Sequence, residues 1–184
     1  MTVYTYTPSK NYKRISGLVV ILISAALGFF MFPTLFPTIP LRWLFQLTGL
    51  VCLGVVIFIV SRYILKNTVY SILENGEGGC DLAVTEITNG GRSRVTVCRF
   101  ALANIERAEI FFLENAGDAE RKKKFLEQTK KPRPAKFNYC PDMMSSPVCY
   151  ILANEGENKF LVKLSPDKKL YEYIKGENKA DIAQ

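Results

Sequence analysis

Two charge-free apolar runs, close together in the chain, constrain everything else this sequence can fold into. The first is Ile15 to Phe32 (ISGLVVILISAALGFFMF), and the second is Trp43 to Ser61 (WLFQLTGLVCLGVVIFIVS). Eighteen residues at 1.5 Å rise make a helix about 27 Å long, close to the ~30 Å hydrocarbon core of a bilayer. The second run extends to Tyr63, and on to Leu65, if Arg62 snorkels to the interface. Between them PTLFPTIPLR holds Pro33, Pro37 and Pro40, which break a continuous helix. The expectation is a two-helix transmembrane hairpin over 15–65, with spans at 15–32 and 43–63 and a short outer loop at 33–42.

A cleaved signal peptide competes for the first run. The run is longer than a usual signal core, it ends in bulky Phe29, Phe30, Met31 and Phe32, and a second span follows it. A pair of buried soluble helices competes for both, but two long charge-free runs this close together disfavour it. Lys10, Lys13 and Arg14 flank the first span and Arg62 and Lys66 the second, whereas the loop carries only Arg42. Positive charge favours the cytoplasmic side, which predicts a multi-pass protein with both termini in the cytoplasm. Tyr12, Trp43 and Tyr63 stand where interfacial aromatics belong. Ser24 and Gly28 form a small-xxx-small pair, read as packing within the hairpin in preference to dimerisation. The span interiors hold no Asp, Glu, Lys or Arg, which argues against an ion or proton pathway.

The 184-residue chain carries a net charge of +7, and most of its charge lies after Lys66. It contains no His, which removes the commonest general base and metal ligand. The five Cys (Cys52, Cys80, Cys98, Cys140, Cys149) are odd in number and lack close pairs, so reduced thiols are expected rather than disulfides or a zinc site.

After a short N-terminal segment (1–14) and the hairpin, residues 66–176 read as short strands separated by turn signals, with 177–184 a frayed tail. Strands are expected at Thr68–Leu73, Cys80–Thr88, Arg94–Phe100, Ile105–Leu113, Phe137–Cys140, Val148–Asn154 and Lys159–Leu164. Asn89-Gly90-Gly91 marks a hairpin turn. On Arg94–Phe100, alternation sets Val95, Val97 and Arg99 on one face. Asp118 is a candidate N-cap for a helix over Ala119–Gln128. A closing helix is expected with Ser165 as N-cap, Pro166 at its first position, a Leu170/Tyr173/Ile174 apolar stripe and Gly176 as its stop. The expected class is a membrane α-hairpin plus a β-rich α+β domain: a partly open antiparallel barrel of about seven strands capped by a C-terminal helix.

The order of membrane hairpin, TVYSILENGEGG, strands around Asn-Gly-Gly, ANIERAEIF, FLVKLSP and DKKLYEYI resembles bacterial pleckstrin-homology-like membrane proteins. The matching pieces are the Tyr70 segment leaving the membrane, the Ile105–Ile110 strand, and Phe160–Ile174 running through Ser-Pro into the closing helix. FNYC, a loop and VCYIL look like clostridial-type members of that group. The resemblance covers most of residues 10–176 and implies a PH-like fold at the bacterial plasma membrane, and no reaction. The basic segment 118–136 departs from the plainest pattern as an insertion.

The strongest polar feature lies there. Arg121–Lys136 (RKKKFLEQTKKPRPAK) holds eight basic residues: Arg121, Lys122, Lys123, Lys124, Lys130, Lys131, Arg133 and Lys136. A solvated charge run is the plain reading, and contact with anionic lipid headgroups or a protein partner is the functional one. Nucleic acid is not expected, because aromatic interleaving is sparse and no binding motif is present. Catalytic constellations are missing. Glu106 and Glu109 point to opposite faces of a strand, Ser145-Ser146 lacks a visible base, and the glycine-rich 75–79 turn lacks the P-loop Lys and Ser/Thr. No cofactor is expected, and a small-molecule substrate is disfavoured. The expected function is a non-enzymatic, membrane-anchored interaction module. The alternative is an accessory or assembly subunit recognised through its hairpin, and a weaker one is a metal- or redox-sensing protein using the free Cys.

Overall fold

The computed structural model describes residues 1–36, 42–76, 78–112, 115–129, 134–142, 145–156 and 158–176. The chain divides into two compact units: Lys10–Lys66, and a β-domain made of Met1–Ser9 together with the chain from Asn67 onward.

The first unit is a helical hairpin. Helix α1 runs Tyr12–Leu35 and helix α2 runs Arg42–Ile59, continuing into a π-helical turn at Val60–Ile64. Helix α1 passes through Pro33, which therefore lies in its last turn rather than in the loop. Both helices are long and apolar enough to cross a membrane, and most of their apolar surface is not buried within the chain. They pack most closely where Ala26 faces Gly49: a Cβ at Gly49 would stand 3.0 Å from the Phe30 ring and 3.2 Å from the Ala26 carbonyl. Phe45 packs against Phe29 and Phe32, with centroids 6.5 and 5.6 Å apart. The Ser24/Gly28 pair does not make this contact, because Gly28 faces open space and Ser24 is exposed. At the open end Lys10 Nζ donates to the carbonyls of Ile64 and Lys66, placing a cation on the C-terminal end of the helical run.

The β-domain is built from two four-stranded sheets, with no closed barrel. The first has the order β1 (Thr2–Tyr6), β2 (Asn67–Glu74), β3 (Cys80–Thr88) and β4 (Ser93–Ala101), all antiparallel. Strand β1 comes from the segment expected to be a simple lead-in. It pairs with β2 across the whole hairpin, setting Tyr6 opposite Tyr70 and Thr2 opposite Leu73. The second sheet has the order β5 (Ile105–Phe111), β7 (Val148–Glu155), β8 (Asn158–Leu164) and β6 (Ala135–Asn138). Strand β6 lies parallel to β8, unlike the all-antiparallel expectation.

Alternation explains the packing. Tyr70, Ile72, Leu82, Val84 and Phe100 of the first sheet meet Cys149, Ile151, Phe160, Val162 and Leu164 of the second in one core. Helix α4 (Lys168–Lys175) adds Leu170, Tyr173 and Ile174 to it. The expected apolar stripe is therefore buried, and Gly176 ends the helix in the left-handed region (φ 76°) as its sequence position suggests. Its N-cap is Asp167 rather than Ser165, whose hydroxyl instead donates to the Pro147 carbonyl. Asp167 also accepts from Tyr4 Oη, a bond that together with burial pushes the Tyr4 phenol up to about 12. Tyr70, 0% exposed, donates to the Tyr139 carbonyl at 2.8 Å and accepts from Ser165 N–H, joining the two sheets.

On β4 a bulge breaks the expected alternation. Val84 pairs with Cys98 but Thr85 pairs with Thr96, leaving Val97 as the extra residue, and both Val95 and Val97 are exposed.

Two outcomes follow from this packing. Gly49→Leu should lower the thermal midpoint of the detergent-solubilised protein, whereas Gly28→Leu should leave it unchanged; equal effects would place the close helix contact elsewhere. Removing Met1–Tyr6 should strip the outer edge of β2 and speed amide exchange along Asn67–Glu74, while the helices keep their protection.

Candidate functional site

The basic segment contains helix α3 (Ala116–Gln128), and its sequence explains how it is held. Asp118, Phe125 and Thr129 are buried at helical spacing, with half-buried Lys122 between them. Phe125, 1% exposed, packs with Phe111 (5.9 Å between centroids) and Tyr150 (6.3 Å) in a second core on the outer face of β7 and β8. Val148, Tyr150, Leu152 and Leu161 supply the rest of that face. The continuous apolar run of β7 is thus buried on both sides.

Polar contacts lock the same helix. The N-cap position is Asn115, not Asp118. Asp118 lies in the first turn, accepting from Phe112 N–H at 3.0 Å and from Arg121 at 2.8 Å. The Phe112 amide, aided by Arg121, holds the Asp118 carboxyl below its ordinary range. Arg121 also lies 3.9 Å from Glu109 and over the Phe111 ring. Arg107 pairs with Glu109, donates to Gln128 at 2.6 Å and stacks its guanidinium 5.1 Å from the centre of Phe125. Sequence reasoning considered Glu109 only as a poor acid and passed over Arg107. Their i, i+2 spacing on β5, which puts both on one face, was the available signal.

The predicted cations therefore separate. Arg121 is spent on Asp118 and Glu109. Lys122 sits 5.5 Å from the centre of the Tyr150 ring. Lys123 and Lys124 on α3 and Lys136 on β6 are exposed and have no acidic partner among the described residues. Lys130, Lys131 and Arg133 lie outside the described residues. Lys122, Lys123 and Lys136 come together around a cleft of about 490 Å³ whose walls include Phe112, Leu126 and Glu127. Lys124 is not part of that cleft. The arrangement can attract an anionic group to cations standing on a rigid base.

A larger cavity of about 780 Å³ is lined by Cys80, Leu102, Ile105, Ala108, Tyr173 and Ile174. At its rim Glu106 is bound to Lys159 (2.8 Å) and to Asn154, which hold its carboxyl low. No family model, curated protein or solved structure matches this chain. The likeness to PH-like membrane proteins therefore rests on the quoted motifs alone.

Four of the five thiols are held in their protonated form. Burial pushes Cys140 up to about 11 and raises Cys80, Cys98 and Cys149 as well, so the protonated form dominates near neutrality. No group of three or more Cys, Asp or Glu able to hold a metal occurs among the described residues.

Phe125→Ala should destabilise the β-domain by about 3–5 kcal/mol, the usual cost of emptying a buried aromatic site. Because the Asp118 carboxyl is depressed in the folded state, its contribution is present above the unfolded value of about 4 and is lost as pH falls through the lower folded value. The protection factors of the α3 amides, corrected for the intrinsic pH dependence of exchange, should therefore fall on acidification, and Asp118→Asn should remove most of that fall.

Proposed function

We propose that this chain is a membrane-anchored, non-enzymatic interaction module. Its helical hairpin crosses the bacterial plasma membrane, and its PH-like β-domain lies on the cytoplasmic side and recognises anionic groups. The observation that carries this reading is the pairing of β1 with β2. The strand before the hairpin and the strand after it belong to one sheet, so a hairpin that crosses the membrane must leave and return on the same face. The excess of Lys and Arg at these two ends over the single Arg42 of the loop makes that face the cytoplasmic one.

Lys122, Lys123, Lys124 and Lys136 are the residues offered for anion recognition. The clamp beneath α3 supports this role, because cations on an ordered base lose little freedom when they bind. Each Lys or Arg near an anionic leaflet gains about 1 kcal/mol, so three or four acting together shift an equilibrium measurably. An acidic surface on a protein partner offers the same chemistry.

The test uses the full chain in lipid nanodiscs, since residues from 66 onward lack β1. Reductive methylation of Lys123, Lys124 and Lys136 should slow when phosphatidylserine replaces part of the phosphatidylcholine, and recover in high salt. Unchanged labelling in both lipids, with crosslinks from these lysines to an acidic protein in cells, would shift the role to a protein partner. Recovery of the same partner by the hairpin alone would favour an assembly subunit.

A further inference from the structure

The register of the first sheet carries information about a surface that the basic segment does not include. Asn67, the first residue of β2, is bonded directly to Lys66, the last residue of the helical unit. Across the sheet Asn67 stands opposite Ile87 of β3, and Ile87 stands opposite Arg94 of β4. Neighbouring strands are about 4.8 Å apart, so Arg94 lies about 10 Å from the residue that follows the hairpin. That distance is set by hydrogen-bond register and a covalent link, and it holds whatever the tilt of the domain about residues 66–67.

The β3–β4 turn at this end is chemically distinctive. Gly90 and Gly91 adopt positive φ (64° and 99°), which makes the reversal tight and lets β4 start at once. Arg92 and Arg94 follow it, both exposed and without an acidic partner among the described residues. Val95 is 56% exposed. Glu86, opposite Val95 and half-buried, is the acidic residue of this tip. The β3–β4 tip therefore combines two arginines with an exposed apolar side chain, the composition that suits a bilayer interface.

We propose that the β3–β4 tip, through Arg92, Arg94 and Val95, is a membrane-contact site that rests on anionic headgroups beside the end of the hairpin. The inference depends on the reading that the hairpin crosses a membrane, and adds a second contact that the α3 lysines do not provide. A second copy of the chain is a poor occupant of this edge, because pairing β4 with itself would bring like-charged arginines together. A bilayer interface accommodates both the charges and the valine. The bulge at Val97, where Tyr139 Oη donates to the Val97 carbonyl, ends the free edge on the far side of the contact.

The native chain has a single tryptophan, Trp43, which makes a direct test possible. The full-length protein is placed in nanodiscs containing phosphatidylserine and a phosphatidylcholine brominated high on its acyl chains. Trp43 reports on the hairpin in the unaltered chain, and V95W in a W43F background reports on the tip. The expected result is quenching of both, with the V95W signal losing most of its quenching when R92E and R94E are added. Quenched Trp43 with unquenched V95W, or V95W quenching indifferent to the two charge reversals, overturns the proposal and leaves the membrane reading standing. Unquenched Trp43 overturns the membrane reading itself. Amide exchange of the unaltered protein is a second measure that needs no substitution. Residues 92–96 should be protected severalfold more in phosphatidylserine nanodiscs than in neutral detergent, and equal exchange would count against the contact.

Discussion

The antiparallel pairing of β1 with β2 is the constraint on which the rest of the structure depends. The two strands are separated in sequence by the whole helical hairpin, and closing so long an excursion costs conformational entropy. The hairpin lowers that cost by its own packing. Ala26 against Gly49 brings the helices together, and Lys10 bonded to the carbonyls of Ile64 and Lys66 joins their open end. Once these contacts form, β1 and β2 begin from neighbouring points, and their ladder is local in effect although not in sequence. Tyr4 then connects β1 to the N-cap of α4, so the first strand and the last helix hold each other.

The second sheet meets a different constraint. Strand β7 is apolar on both faces, so it needs cover twice: the first sheet and α4 on one side, α3 on the other. A segment that reads as a basic insertion is thus the lid of a second core. Its charges divide accordingly. Asp118 and Arg121 position the helix, Arg107 and Glu109 brace it from β5, and Lys123 and Lys124 are left to solvent. Exposed lysines of this kind add little to stability.

Cationic chemistry thus occurs in two places on the β-domain, each on a rigid element. One is the α3–β6 cleft, and the other is the β3–β4 tip, two strands from the residue that follows the hairpin. Two other reactive side chains are held within the domain. Cys149 is in the core, and Glu106 is bound to Lys159 and Asn154.

The sequence by itself determined the helices and most strands, because their signals are local. Charge-free runs of bilayer length, alternation on Cys80–Thr88, the Asn89-Gly90-Gly91 turn and the Leu170/Tyr173/Ile174 stripe each need only neighbouring residues to be read. The α3 lysines were legible in the same way, as composition. Only the tertiary structure decided that Thr2–Tyr6 is a strand, that the strands divide into two four-stranded sheets, that β6 runs parallel to β8, and that Arg121 is consumed by Asp118 and Glu109. It also decided that a bulge at Val97 interrupts the alternation of β4, setting Val95 opposite Glu86, and that Val95 is exposed there. These features depend on residues far apart in the chain. A short strand such as TVYTY has no partner to offer it a register until the hairpin has folded back, and a cation is free or spent according to which carboxylates the packing carries to it.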